Sequence, residues 1–451
     1  MRTNAGMVIL VSALVILAVL GSRGGVASNL PPLPPEPSVN RIAVVGLDGL
    51  VRTIKPDGTD IIEISGPQGF FTWPTWAPNG KKMVYSGLVN DARGEPSITL
   101  FEYESKTHVS RKLHIGEPGF AGLLAEGVVH YPLWAPNSEK LAFVGVTQQN
   151  GLTLFLDDLS DDPGSLYVLD QGPLWMSWSD DSSDLMVHRS DDHFLVNTDG
   201  PLTVKQIGVN SLSYRVPAWR PVEKAITFAR EIDASNSRIY FAPVTPDGVG
   251  EAIPITDAVS DSAFHWTRDG SKLAIADSSN AVLYLGGPTL VFRELKILDS
   301  SDFSEIAVLR DNIIAYFWSP DGTKLAASMV RASGDQTAEV SVHILEATTG
   351  RTSAVYENEV PALIADGVPH YFYWSPDSES LAFIASTPQG LTLFVADSDV
   401  GRQTGGQPLA VERGAPLYFS WAKDGSSLAL HSGPDVKLVQ RPFDAFLSRQ
   451  I

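Results

Sequence analysis

The chain has 451 residues, 43% of them hydrophobic and 19% charged, with 38 glycines and 31 prolines, a globular composition that excludes coiled-coil, collagen-like and disordered chains. Its 33 Lys and Arg against 52 Asp and Glu leave a net charge of −19 and no basic stripe, so nucleic-acid binding by phosphate neutralisation is excluded. With no cysteine there is no disulfide framework, no thiol catalysis, no thiolate zinc site and no lipidated cysteine.

In chain order, the first element is Met7–Leu20 (MVILVSALVILAVL), an apolar run of 14 residues after a single Arg2. A spanning helix needs about 20 apolar residues, whereas a signal-peptide core is shorter. Residues 1–27 therefore read as a signal peptide cleaved near Ala27, with an uncleaved anchor as the alternative, and the protein is expected to be exported to the periplasm, the cell surface or the medium. Residues 28–40 follow as a linker whose Pro31–Pro37 stretch (PPLPPEP) favours an extended spacer. The remainder, 41–451, reads as one repeat domain.

Eight of the ten tryptophans, Trp76, Trp134, Trp178, Trp219, Trp266, Trp318, Trp374 and Trp421, open nearly the same phrase, from WAPNGKKMVY to WSPDGTKLAA, at spacings of 41 to 58 residues. In each, a short apolar strand ends at Trp, a Pro-Asp/Asn-Gly/Ser segment turns, and an alternating KLAF-type run returns. Further short runs between the phrases, such as LTLFLDDL and VSVHILEA, bring the count to four strands per repeat. A sheet of about 45 residues cannot bury both of its faces alone, so the copies must stack, with the tryptophans packed between neighbours rather than lining a ligand cage.

The phrase WSPDGTKLA at Trp318, its relatives, and RIAVVGLDGLVRTIKPDG at Arg41–Gly58 resemble the WD-type repeats of TolB-like β-propellers over residues 40–440. The resemblance implies an all-β propeller, here of eight four-stranded blades, with seven or nine also compatible. Residues 41–54 lack a Trp strand and align with 272–285, so the two ends of the chain are expected to share one blade. This kind of repeat serves scaffolds, gating propellers of peptidases and some lyases. The first reading is a non-enzymatic scaffold binding a protein or peptide on its loop face. The alternatives are an extracytoplasmic enzyme (a polysaccharide lyase or hydrolase, or a peptidase relative) and a glycan- or ion-binding surface module.

A second symmetry is internal. Residues 122–145 align without a gap on 362–385, and Trp76, Trp134 and Trp178 map onto Trp318, Trp374 and Trp421. Half the ring reads as a copy of the other half, which would set repeated features about opposite each other.

Enzyme signatures are absent: no G-x-S-x-G elbow, no H-E-x-x-H, no phosphate loop and no EF-hand calcium loop occurs. Two constellations remain. From Leu141 to His188 there is no Lys or Arg, and Asp157, Asp158, Asp161 and Asp162 begin a run of eight aspartates that would suit a divalent cation, the only cofactor the sequence suggests, or else form a solvated acidic rim. The duplication repeats His130 as His370 and His188 as His431, with Glu126 and Asp366 in the loops leading into the Trp strands. The two histidines and the carboxylate of each half would face one rim, as ligands or as acid and base, or stand as inherited surface residues.

Overall fold

The computed structural model describes residues 40–120, 130–160, 164–170, 174–189, 192–207, 218–233, 235–245, 247–259, 262–284, 288–332, 337–357, 362–363, 371–399, 408–414, 416–443 and 449–450. The signal segment, nearly all of the linker, and Glu126, Asp161, Asp162, Asp366 and His370 lie outside them. Among the described residues every regular element is a β-strand, and no helix is long and apolar enough to cross a membrane. The chain divides into two compact units, parted in sequence between Val209 and Asn210.

The first unit holds four antiparallel sheets. Strands β1 (Ile42–Val45), β2 (Val51–Ile54) and β3 (Ile62–Glu63) form one; β4 (Phe70–Trp76), β5 (Lys82–Asn90), β6 (Pro96–Glu104) and β7 (Val109–Ile115) form the next. They are followed by β8 (Tyr131–Trp134), β9 (Leu141–Thr147), β10 (Gly151–Asp157) and β11 (Leu166–Asp170), and then by β12 (Leu174–Trp178), β13 (Asp184–Arg189), β14 (Asp192–Asn197) and β15 (Thr203–Ile207). Within each sheet every strand pairs with its neighbour in sequence, an up-and-down meander.

The second unit repeats the plan in sheets that begin at Ala218–Arg220, Ser262–Trp266, Tyr371–Trp374 and Pro416–Trp421. In the second of these Glu305–Trp318 runs on from one repeat to the next, joining seven strands in sequence, and Ala362–Leu363 adds an eighth on Thr337–Glu346. The first half of Glu305–Trp318 pairs with Pro288–Asp299 and its second half with Lys324–Ala332. The expectation that residues 41–54 complete the last repeat is corrected. β1–β3 form a sheet of their own, and the final hairpin takes its outer strand from Arg449–Gln450, with Lys437 opposite Gln450 and Leu438 opposite Arg449. A short segment beyond Gln440 thus supplies what the sequence reading sought at the other end of the chain.

Burial follows from this plan, since a sheet with two apolar faces is stable only between neighbours. One core cluster joins Val84, Leu100 and Leu113 of the β4–β7 sheet to Trp134, Leu141 and Phe143 of the next, and another joins Ala142 and Val144 to Trp178, Leu185 and Val187. In the second unit, Ala326, Val342 and Val355 meet Phe372, Trp374 and Leu381 in the same way. The repeat tryptophans sit in these seams, and the structure adds a polar function to their packing. Five indole N–H groups donate to the carbonyl just before the previous repeat's Trp: Trp134 to Thr75 (3.1 Å), Trp178 to Leu133 (3.1 Å), Trp318 to His265 (2.9 Å), Trp374 to Phe317 (3.1 Å) and Trp421 to Tyr373 (3.2 Å), whereas Trp266 donates to the Thr227 hydroxyl (3.1 Å). A buried indole N–H needs a partner, and a carbonyl at the strand end supplies one at these five steps.

The turns explain why the phrase alternates Gly with Ser. The residue after Asn/Asp adopts the left-handed conformation, with φ of 72° at Gly80 and 67° at Gly322 but also 66° at Ser138, 64° at Ser182 and 63° at Ser378. Glycine takes this region without strain, and serine does not. Each serine hydroxyl accepts the backbone N–H of the preceding turn: Asn79 to Ser138 (3.1 Å), Asn137 to Ser182 (3.0 Å) and Asp321 to Ser378 (3.0 Å). The inter-sheet bond offsets the backbone cost.

Candidate functional site

At the edge of the sheets opposite these turns, a cleft of about 190 Å³ opens in the first unit between the β4–β7 and β8–β11 sheets. Its walls are Ile98 of β6, His114 and Ile115 at the end of β7, Gly116, Glu117 and Phe120 in the segment that follows, His130 just before β8, Gly145 to Thr147 at the end of β9, and Phe155 of β10. The chain leaves one sheet and enters the next here, so strand ends and their loops converge.

His130 was singled out by the sequence, and it anchors the cleft. Its ring is 3% exposed, and Nδ1 lies 3.0 Å from Ser86 Oγ on β5. The opposite edge of the ring, with Nε2, faces Gly145, where a Cβ would stand 3.4 Å from Cδ2 and 3.8 Å from Nε2. His114 stands at right angles to it, the ring centroids 6.1 Å apart, and packs on Phe155 at 4.5 Å and Phe143 at 5.1 Å. Burial among these rings holds both imidazoles uncharged. His114 titrates at about 4, and His130 at about 3, desolvation again coming first and the neighbouring His114 second. A base that weak does little proton transfer at neutral pH, because general catalysis is best served by a group titrating near the working pH. As neutral hydrogen-bonding groups the two rings suit binding.

The remaining expected residues are placed elsewhere. His188 on β13 lies directly opposite His193 on β14, and the two buried rings stack at 4.4 Å. His130 packs with His114, Phe143 and Ser86, and His188 is not among its described contacts. His431 lies opposite Val436, so the second copy has no stacked histidine pair at this position. Asp157 is 2% exposed, and both of its oxygens are engaged, Oδ1 by the Leu159 N–H at 2.8 Å and Oδ2 by the Ser165 hydroxyl at 3.0 Å. Burial raises its carboxyl, whereas the Ser160 backbone N–H lowers that of Asp158. The carbonyls of Leu159 and Ser160 accept from Arg111, which also pairs with the buried Glu102, so this loop is tied to the neighbouring sheet. Among the described residues no three His, Asp or Glu converge as metal ligands.

His114 and Gly145 are the residues that sequence reading missed. His114 lies on the outer strand of the preceding repeat, outside the duplicated segment, whereas Gly145 is the last position of that segment and becomes Ala385 in the copy.

No protein-family model matches the chain, and no curated protein is similar to it. Among solved structures it is similar to "Crystal structure of the eukaryotic initiation factor", with 12% identity and a TM-score of 0.59, covering 91% of this chain and 96% of that one, a likeness of fold alone. TolB from Acinetobacter baumannii matches with 15% identity over 71% of this chain and 78% of that one, at a TM-score of 0.33. The β-propeller domain of the Trilobed protease from Pyrococcus furiosus matches with 12% identity over 83% and 94%, at 0.39.

Proposed function

We propose that this chain is an exported, non-enzymatic β-propeller of the TolB-like kind, a scaffold that binds a protein or peptide partner on the loop face where the His114–His130 cleft opens. The eight Trp hairpins are read as eight four-stranded blades, and the Trp-less β1–β3 sheet keeps nine compatible. Loops carried at the ends of packed β-sheets need little ordering when a partner arrives. The observation that carries the reading is the pair of uncharged imidazoles in an aromatic cleft, with Nε2 of His130 directed into it. Such a lining offers hydrogen bonds and apolar contact to a chain segment, and it offers little acid–base power.

The test is an array of short peptides probed with the full mature chain and with Gly145→Val, whose side chain would fill the cleft. The reading expects a defined subset of peptides to be retained by the native protein and lost by the variant. Turnover of a peptide or oligosaccharide at neutral pH that disappears in His130→Gln would make the chain an enzyme instead.

A further inference from the structure

Resting on that reading, we infer that the cleft accepts a primary ammonium group on an aliphatic stem, the side chain of a lysine in the partner. Glu117 supplies the charge. Its carboxylate lines the cleft, one oxygen accepts the Gln148 backbone N–H at 2.9 Å, and no Lys or Arg pairs with it among the described residues. Among the described residues no cationic side chain lines the cleft, and the chain carries a net charge of −19, so an anionic ligand would meet repulsion and a cation attraction.

The neutral rings suit the same ligand. Protonated histidines would repel an ammonium, but these stay uncharged at neutral pH through their burial. In the tautomer whose Nδ1–H donates to Ser86, Nε2 of His130 turns a lone pair toward the cleft, and it has no protein hydrogen-bond partner among the described residues. An N–H donor from the ligand completes it. Phe155 and Phe120 offer aromatic surface to the charge, and Ile98 and Val146 offer apolar surface to the methylenes. A guanidinium gains most from a carboxylate with both oxygens open, and Oε2 of Glu117 gives one lone pair to Gln148, which favours an ammonium, a point charge that needs a single oxygen. A metal ion fits less well, since the described residues hold no convergent ligand triplet.

The internal copy gives an independent indication. Leu100 pairs with Ser86 and His114 as Val342 pairs with Ser328 and Tyr356, so Tyr356 occupies the position of His114. Tyr356 packs on Phe394 at 5.0 Å and Phe383 at 5.4 Å, as His114 does on Phe155 and Phe143. Ala385, at the position of Gly145, is 2% exposed. The aromatic frame was kept in both halves, whereas the imidazole and the missing Cβ that open the cleft occur in only one.

The experiment titrates the full mature chain with Ac-Gly-Lys-Gly amide by ligand-observed NMR, beside the peptides in which Lys is replaced by norleucine, Nε-acetyl-lysine or Arg. Lysine is expected to bind about tenfold or more tighter than norleucine or acetyl-lysine, and Glu117→Gln to remove that advantage. Gly145→Ala, whose Cβ meets only ordinary contacts, should weaken lysine binding with an unchanged unfolding midpoint. Equal binding of the norleucine peptide, tighter binding of the Arg peptide, lysine binding indifferent to both substitutions, or no binding at millimolar peptide would each overturn the inference. So would one equivalent of Zn²⁺ bound by the native chain and lost in Glu117→Gln. Lysine-free peptides retained on the array in a Gly145-dependent way would sink the inference and leave the scaffold reading standing; an array with nothing retained would sink the scaffold reading.

Discussion

Trp318→Ala is expected to destabilise the second unit by about 3–5 kcal/mol, among the largest single effects available in the chain. Trp318 is 8% exposed and packs in a seam with Leu295, Tyr316, Leu325 and Leu345, so truncation removes a large apolar surface and leaves a cavity. It also removes the indole N–H and strands the carbonyl of His265. Trp318→Phe separates the two losses: the ring remains, the hydrogen bond goes, and about 1–2 kcal/mol should be lost. Urea unfolding of both variants checks this. Equal losses for Ala and Phe would show that packing contributes nothing beyond the hydrogen bond, and losses under about 1 kcal/mol for both would contradict the seam.

The second large effect is on acid stability. His114 and His130 have folded pKa values of about 4 and about 3 against an ordinary 6.5, so the unfolded chain binds more protons than the folded one between those limits. Stability must therefore fall as pH drops through 6.5 toward 4. By pH 4.5 each ring accounts for roughly 2–3 kcal/mol of the loss, at about 1.4 kcal/mol per pH unit. Asp157, whose carboxyl is raised by burial, acts in the opposite direction. Unfolding midpoints measured from pH 7 to 4.5 should fall steeply in the native chain. His343, also lowered by burial, adds to the same trend, so in His130→Gln, which does not titrate, the slope should drop by less than half, and an unchanged slope would contradict the burial account.

Much of the fold was legible because it repeats. Eight tryptophans at near-regular spacing with a turn after each specify hairpins that have to stack, and the sheets fall where those hairpins place them. What could not be read was how the repeats join. The continuity of Glu305–Trp318 depends on a strand passing from one repeat to the next, and the return of Arg449–Gln450 on two residues beyond the last clear run. The indole bonds and the serine bonds are likewise inter-repeat features, invisible to a pattern within one phrase.

For the site, the duplication pointed to His130 but not to His114, which stands beside it in the structure. Sequence symmetry marks what two halves share, and this cleft arises from what they do not share: His114 against Tyr356, and Gly145 against Ala385. His114 comes from the outer strand of the adjacent repeat, and only packing brings it to His130. The signal the sequence carried was the loss of a side chain at the last aligned position, Gly145 against Ala385.

The central claim is that this cleft is a neutral hydrogen-bonding surface built for binding, and the protonation state of its rings tests that most directly. Imidazole ¹⁵N chemical shifts of His114 and His130, recorded on the full mature chain at pH 6, should show both rings uncharged. An imidazolium at either position at pH 6 or above would contradict the account and restore acid–base chemistry to the site.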